Sequence, residues 1–408
     1  MGGEVNSMRT LGALICVGLI TAGCAATRGV LPRGSGDKLY EAVTAHGSPL
    51  LSVIDTRTQT AERRLPLGAP SRDWTHLYSI AGSSLIDTDP LTGSTLSTMI
   101  LPAGYRLPPA TISGVPGGTS PDGRWLVAET FDPASGTHML LIDTNTSTVV
   151  HRVNLAGRFQ FDAVSNDGMR LYLIQFLNGK EYYVRLYDVV TGALTDNIVV
   201  DKSNGEQSMT GVRLSAVASQ DGSWLFTMYV RESEGPFIHA LSLDGAFAFC
   251  LDLPGGGYAT NAAEKQWSLV MNRSGSRLYA VNGATGTVAE ADISNQYQPH
   301  VTRTVNFATT RSSSAGSGGA VLSADGKTLV TAGGSGIVWV DTATLTTRMR
   351  SLSDWRVSSL GLSPDGQTIY AVRDSGAIAE IAMSSGAVSV TFDPAEGQPL
   401  ALMRVGAA

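Results

Sequence analysis

Cysteine is scarce: the 408 residues contain three, Cys16, Cys24 and Cys250. The first two lie in or beside an N-terminal apolar segment, so Cys250 stands alone in the body of the chain. No internal disulfide can therefore staple the fold, and burial and hydrogen bonding must hold it. Cys250 sits in the strand-like run Phe247-Ala248-Phe249-Cys250-Leu251 and reads as an inert packing residue rather than a reactive thiol. Basic runs are missing as well. Nothing exceeds pairs such as Arg63-Arg64, and the net charge of −6 is mild, which speaks against a nucleic-acid groove. Catalytic signatures are also missing: there is no Gly-x-Ser-x-Gly elbow, His-Glu-x-x-His, Cys-x-x-Cys, phosphate loop or EF-hand spacing. The six histidines (46, 76, 138, 151, 239 and 300) lie far apart without metal-ligand spacing. No catalytic residue, metal ligand or cofactor is assigned on these grounds. A helical period is absent from the body, which argues against α/β folds.

What the chain does have is glycine and repetition. Forty-six glycines and seventeen prolines imply many turns, and an apolar fraction of 43% suffices for a core. A string Ser-x-Asp-Gly, two residues, then an apolar pair recurs at Ser120-Pro-Asp-Gly, Ser165-Asn-Asp-Gly, Ser219-Gln-Asp-Gly, Ser323-Ala-Asp-Gly and Ser363-Pro-Asp-Gly. Asn272-Arg-Ser-Gly is a degenerate copy. Asp-Gly favours a tight hairpin because glycine takes positive φ and the aspartate caps its own backbone. Each copy leads into an apolar strand such as Leu278-Tyr279-Ala280-Val281. A second strand then closes on Ile-Asp-Thr or a relative, at Asp55, Asp87, Asp143, Asp188, Asp292 and Asp341. Because these aspartates recur at equivalent places, a turn role explains them together, and residues that bind or react should instead break the repeat.

These motifs resemble the YVTN-type and WD-repeat-like bacterial β-propellers, over nearly the whole body from about residue 39 onward. The resemblance implies an all-β ring of four-stranded antiparallel blades. Counting units that start near Leu39, His76, Arg124, Arg170, Ser223, Arg277, Thr328 and Thr368 predicts eight blades. Seven is the alternative, because the second unit has room for only a rudimentary first strand. The first unit lacks a leading strand, and the C-terminal run Leu400–Val405 is expected to supply it and close the ring.

The N-terminus reads as an address. After Arg9, residues Leu11 to Ala22 form an uncharged run of about a dozen residues, too short to span a bilayer but suited to an export signal. Glu4 fits poorly ahead of it, which favours Met8 as initiator. The run ends in Ile20-Thr21-Ala22-Gly23-Cys24, which resembles the bacterial lipobox, with Thr21 where leucine is usual. That resemblance implies a signal peptide over 1–23, lipidation at Cys24, and attachment to a bacterial membrane on the extracytoplasmic side; without lipidation the chain would be secreted. Residues 24–38 read as a flexible tether and 39–408 as one propeller domain.

Few features break the repeat: Arg231–Gly235, Phe176–Tyr183, the connector Gly104–Pro109 and the Ser/Gly-rich loop Arg311–Gly319. Trp125 and Trp224 share one blade position and read as packing residues. The expected function is a monomeric, lipid-anchored scaffold that binds an envelope protein or glycan, with no cofactor. The alternative is a propeller hydrolase similar to lactonases, with a site at the central channel. Three converging carboxylates or imidazoles at one mouth of the channel would favour that alternative. A Tol-like assembly factor is a weaker option, since the short tether leaves no room for that family's additional domain.

Overall fold

The described strands pair antiparallel, nearly all with a neighbour in the chain, and the pairings group into eight sheets. The computed structural model describes residues 34–202, 208–307, 318–333 and 336–407. The signal segment 1–23, Cys24 and most of the expected tether therefore lie outside the described residues, as does most of the Ser/Gly-rich loop. The described chain belongs to one compact unit over residues 33–408.

The fold is an eight-bladed β-propeller. Blade 1 combines Lys38–Ala45, Ser48–Asp55 and Thr60–Pro66 with the C-terminal strand Gln398–Gly406, which lies innermost. Leu39 faces Val405 and Ala42 faces Ala401 across this closing pair, so the predicted ring closure is what the chain forms. In blade 2 the innermost strand shrinks to Ala69–Pro70, as the short second unit foreshadowed. Blade 3 reduces it further, to a single bridge between Thr119 and Leu126. Blades 4 to 8 each carry four consecutive strands, and blade 4 gains a short extra one, Ser208–Thr210.

The alternating strand residues are apolar on both faces, so the cores sit between neighbouring blades. Trp224, Phe226, Trp267 and Leu278 fill the seam of blades 5 and 6, and Leu39, Ile54, Tyr370 and Val372 fill the closing seam of blades 8 and 1. Trp125 donates its indole N–H to the Asn166 carbonyl at 2.9 Å and is buried, as is Trp224, so both are packing residues.

The repeated turns work as the sequence implies. In Ser363-Pro-Asp-Gly the Gly366 N–H donates to the Ser363 carbonyl at 2.9 Å, and the Ser363 hydroxyl accepts the Thr368 N–H at 2.9 Å. A copy that sequence reading passed over stands at Ser71-Arg72-Asp73-Trp74. The Ser71 hydroxyl donates to Asp73 at 2.7 Å and the Trp74 N–H to the Ser71 carbonyl at 3.1 Å. Trp74 occupies the glycine position at φ 61°, and its ring packs 5.3 Å from that of Tyr40. The strained backbone is held by that packing.

Two glycines of these turns separate backbone strain from crowding. Gly326 has φ 71° and open space where a Cβ would go, whereas Gly168, at φ 70°, would drive a Cβ into the Trp125 indole. Gly326→Ala is expected to cost about 1 kcal/mol and Gly168→Ala about 2–4 kcal/mol in urea unfolding.

The closing pair also carries a buried acid. Glu41 faces Leu402 of the C-terminal strand, its side chain is 1% exposed, and its Oε1 has no hydrogen-bond partner. Burial first, and then the Glu396 and Asp393 carboxylates, push its pKa up to about 8. Glu396 itself is held by Arg64 at 2.6 and 2.7 Å and by the Ser52 hydroxyl at 3.0 Å. The folded state thus keeps a proton that the unfolded chain releases near its ordinary value of 4.5. This contribution is full below that value and is lost as pH rises through about 8. Thermal midpoints are expected to fall between about pH 5 and about pH 9, by the equivalent of a few kcal/mol, and Glu41→Gln should flatten the decline.

Candidate functional site: the capped central channel

Antiparallel pairing sorts the connections by end. The turns after the first and third strands of every blade lie on one side of the ring. Those after the second strand, and those between blades, lie on the other. All Ser-x-Asp-Gly turns fall on the first side, here the turn face, together with the Asp-led turns. Asp143 and Asp341, for example, accept the Asn145 and Ala343 N–H groups at 2.9 and 2.8 Å. Asp87 departs from this role and holds His76 Nδ1 at 2.9 Å, while Asp89 caps the turn in its place. The repeat-breaking segments that lie within the described residues fall on the second side, the insert face: the segments around 177–180 and 231–236 and the connector after residue 101.

The connector between blades 2 and 3 closes part of the channel. Residues 106–118 form an irregular hairpin, with Pro109 bridged to Pro116 and Arg106 to Glu129. The Ile112 N–H donates to the Arg213 carbonyl at 3.0 Å. Arg213 lies in Val212–Ala218, the innermost strand of blade 5, so the hairpin crosses over blade 4. Beneath it lies a cavity of about 350 Å³ inside the channel, lined by Pro109, Thr119, Phe161, Asp162, Arg213 and Ala216 among others. On the turn face Arg72 bounds the same cavity and donates to the Gln220 carbonyl at 2.9 Å, from blade 2 to blade 5.

One ion pair organises this cavity. Arg213 Nη1 lies 3.0 Å from Asp162 Oδ1, with side chains 11% and 3% exposed. Its Nη2 donates to the Pro109 carbonyl at 3.1 Å, tying the hairpin to the pair. Burial opposes the charge on Arg213, and Asp162 with the Tyr182 and Tyr229 hydroxyls outweighs it, so the pKa stays above the ordinary value. Tyr182 and Tyr229 are themselves pushed up, by burial first. His239, the one buried histidine of the six, stands edge-on to Tyr229, and burial holds its pKa down.

Apart from Arg72 at the turn face, the remaining walls are apolar or neutral, a lining suited to holding a small molecule. Asp162 is the one carboxylate in the lining and is neutralised by Arg213. Among the described residues no group of three or more His, Cys, Asp or Glu side chains gathers as a metal site would need. Cys250 lies on the outer strand of blade 5, and burial pushes its thiol far up. Its N–H donates to Asp201 at 3.0 Å. The Arg213–Asp162 pair escaped the sequence reading. Its sole signal was a charge inside each of two apolar innermost strands, Phe161-Asp162-Ala163 and Val212-Arg213-Leu214.

No helix among the described residues is long and apolar enough to cross a membrane. No protein-family model matches the chain, and no curated protein sequence matches it. Solved structures are similar in fold. Apo AztD from Citrobacter koseri aligns at TM-score 0.57 and 14% identity, over 91% of this chain and 98% of that one. A dihydro-heme d1 dehydrogenase, NirN, in complex with DHE aligns at TM-score 0.55 and 15% identity, over 92% and 77%. The periplasmic gluconolactonase PpgL of Pseudomonas aeruginosa aligns at TM-score 0.45 and 18% identity, over 84% and 98%. At such identities the likeness is one of fold, and by fold this chain is an eight-bladed β-propeller similar to bacterial propeller proteins.

Proposed function

We propose that the protein is an exported, lipid-anchored binding propeller of the bacterial envelope, of the YVTN and WD-like kind, acting as a monomer whose insert face engages an envelope protein or glycan. One observation carries this reading: the described segments that break the repeat lie on one face, and the chain enters the ring at the other. The Gly36 N–H donates to the Thr56 hydroxyl at 2.9 Å, and the Thr56 N–H to the Asp37 carbonyl at 3.1 Å, both at the turn-face end of blade 1. Ser35 reaches Tyr370 and Glu380 of blade 8. The end of the expected tether is thus pinned to the turn face. An acyl chain on Cys24 would hold by burying methylenes at about 0.8 kcal/mol each. Anchored from that side, the ring would turn its insert face away from the lipid. The channel cavity offers no free acid or base to support the lactonase-like alternative.

Crosslinking in membranes followed by mass spectrometry, beside a Cys24→Ala control, tests the proposal. The expected result is an envelope partner crosslinked through residues 104–118, 177–180 or 231–236, with the control released from the membrane. Recovery of no envelope partner, together with lactone or ester turnover by the pure protein, would overturn it.

A further inference from the structure

A second cavity, of about 250 Å³, opens on the insert face at the junction of blades 3 and 4, lined by Arg106, Glu129, Phe131, Arg158, Gln160 and Phe176 among others. It is separated from the channel cavity by the innermost strand of blade 4: Phe159 and Gln160 line the outer one, Phe161 and Asp162 the inner one. Two guanidinium groups flank it, and both arginines are exposed. Arg158 lies over the Phe176 ring at 4.9 Å. Neither guanidinium forms an ion pair with a carboxylate among the described residues, unlike Arg213 of the channel cavity.

The one acid in the cavity, Glu129, forms no ion pair with either guanidinium; burial raises its pKa, and its Phe161 hydrogen bond and the nearby Arg106 and Arg213 charges oppose that only in part. Glu129 is 5% exposed, and its Oε2 accepts the Phe161 N–H at 2.9 Å. Its backbone is fixed to Arg106 by two hydrogen bonds, at 3.0 and 2.8 Å, which also fix where that arginine leaves the hairpin. The apolar counterpart is aromatic: Phe131 stays 44% exposed at the rim, and Phe176 forms a wall already covered on one side by a cation. Planar guanidinium groups recognise carboxylates in a bidentate fashion and stack on rings, and flat apolar groups fill the space between phenyl faces.

We infer that this cavity is a binding site for a small aromatic carboxylate, its anion held by Arg106 and Arg158 and its ring lodged against Phe131 and Phe176. The inference depends on neither the lipid anchor nor the channel cavity. The test is calorimetric titration of the full-length protein with 2-naphthoate and, as the uncharged control, 2-naphthamide. Naphthoate should bind with an affinity that falls with salt, and naphthamide about tenfold or more weakly. Arg158→Gln and Arg106→Gln should each weaken naphthoate about tenfold. Arg158→Lys should recover part of the loss, because it restores the charge without the planar fork. Both arginines are exposed, so unchanged thermal midpoints should show that the variants fold. Absence of naphthoate binding at millimolar concentration, equal affinity for the amide, or unaltered affinity in Arg158→Gln would each overturn the inference.

Discussion

Deleting residues 400–408 is expected to abolish the monomeric folded protein, not merely to weaken it. The strand Gln398–Gly406 is the innermost member of blade 1, half-buried along most of its length. The deletion unpairs Lys38–Ala42 and opens the seam with blade 8, where Leu402 and Val405 pack over Gly361. Each large apolar side chain removed from such a seam costs about 2–5 kcal/mol, against a total stability of about 5–15 kcal/mol for a domain. The freed edge is in addition a template for pairing with another chain. Size-exclusion chromatography should find the truncated chain only as oligomer or aggregate. A synthetic peptide covering residues 398–408, added during refolding, should restore the monomer. A truncated chain that elutes as a monomer with an unchanged thermal midpoint would show that the ring closes some other way.

How much of this could be read in the sequence depended on whether a feature is local. The blades were legible because each is announced by a turn with its own chemistry: Ser363, Asp365 and Gly366 satisfy one another within four residues. The closing strand was legible by subtraction, since blade 1 lacked an inner strand and the C-terminus had one spare. The seventh turn, at Ser71-Arg72-Asp73-Trp74, was hidden because Trp74 takes a conformation usual for glycine. The Ser and Asp two apart, ahead of the apolar Leu77-Tyr78, were the available clue. Glu41 gave no sign, because its burial depends on a strand more than three hundred residues away. The connector was recognisable as irregular, but not its docking across blade 4, since that rests on the Pro109 carbonyl meeting an arginine 104 residues later. Sheet patterns report which residues alternate. They do not report which charge meets which across the ring.

The Arg213–Asp162 pair is the place where that non-local information has the largest consequence. Arg213→Met is expected to destabilise the protein by about 3–5 kcal/mol, because it leaves Asp162 buried with its charge uncompensated. Adding Asp162→Leu should return most of that loss, since replacing both members of a buried pair by apolar groups is often neutral. Urea unfolding of the two single variants and the double variant measures the coupling directly. The hairpin should respond differently from global stability. Arg213 also donates to the Pro109 carbonyl, and neither methionine nor leucine can do so. Limited proteolysis within residues 104–118 should therefore be faster in Arg213→Met and stay faster in the double variant after stability has recovered. Equal unfolding free energies for the single and double variants would mean that Asp162 is hydrated in the folded state and that the pair does not organise the cavity. Recovery of stability together with wild-type proteolysis would mean that the hairpin docks by its own packing, with the arginine incidental to capping the channel.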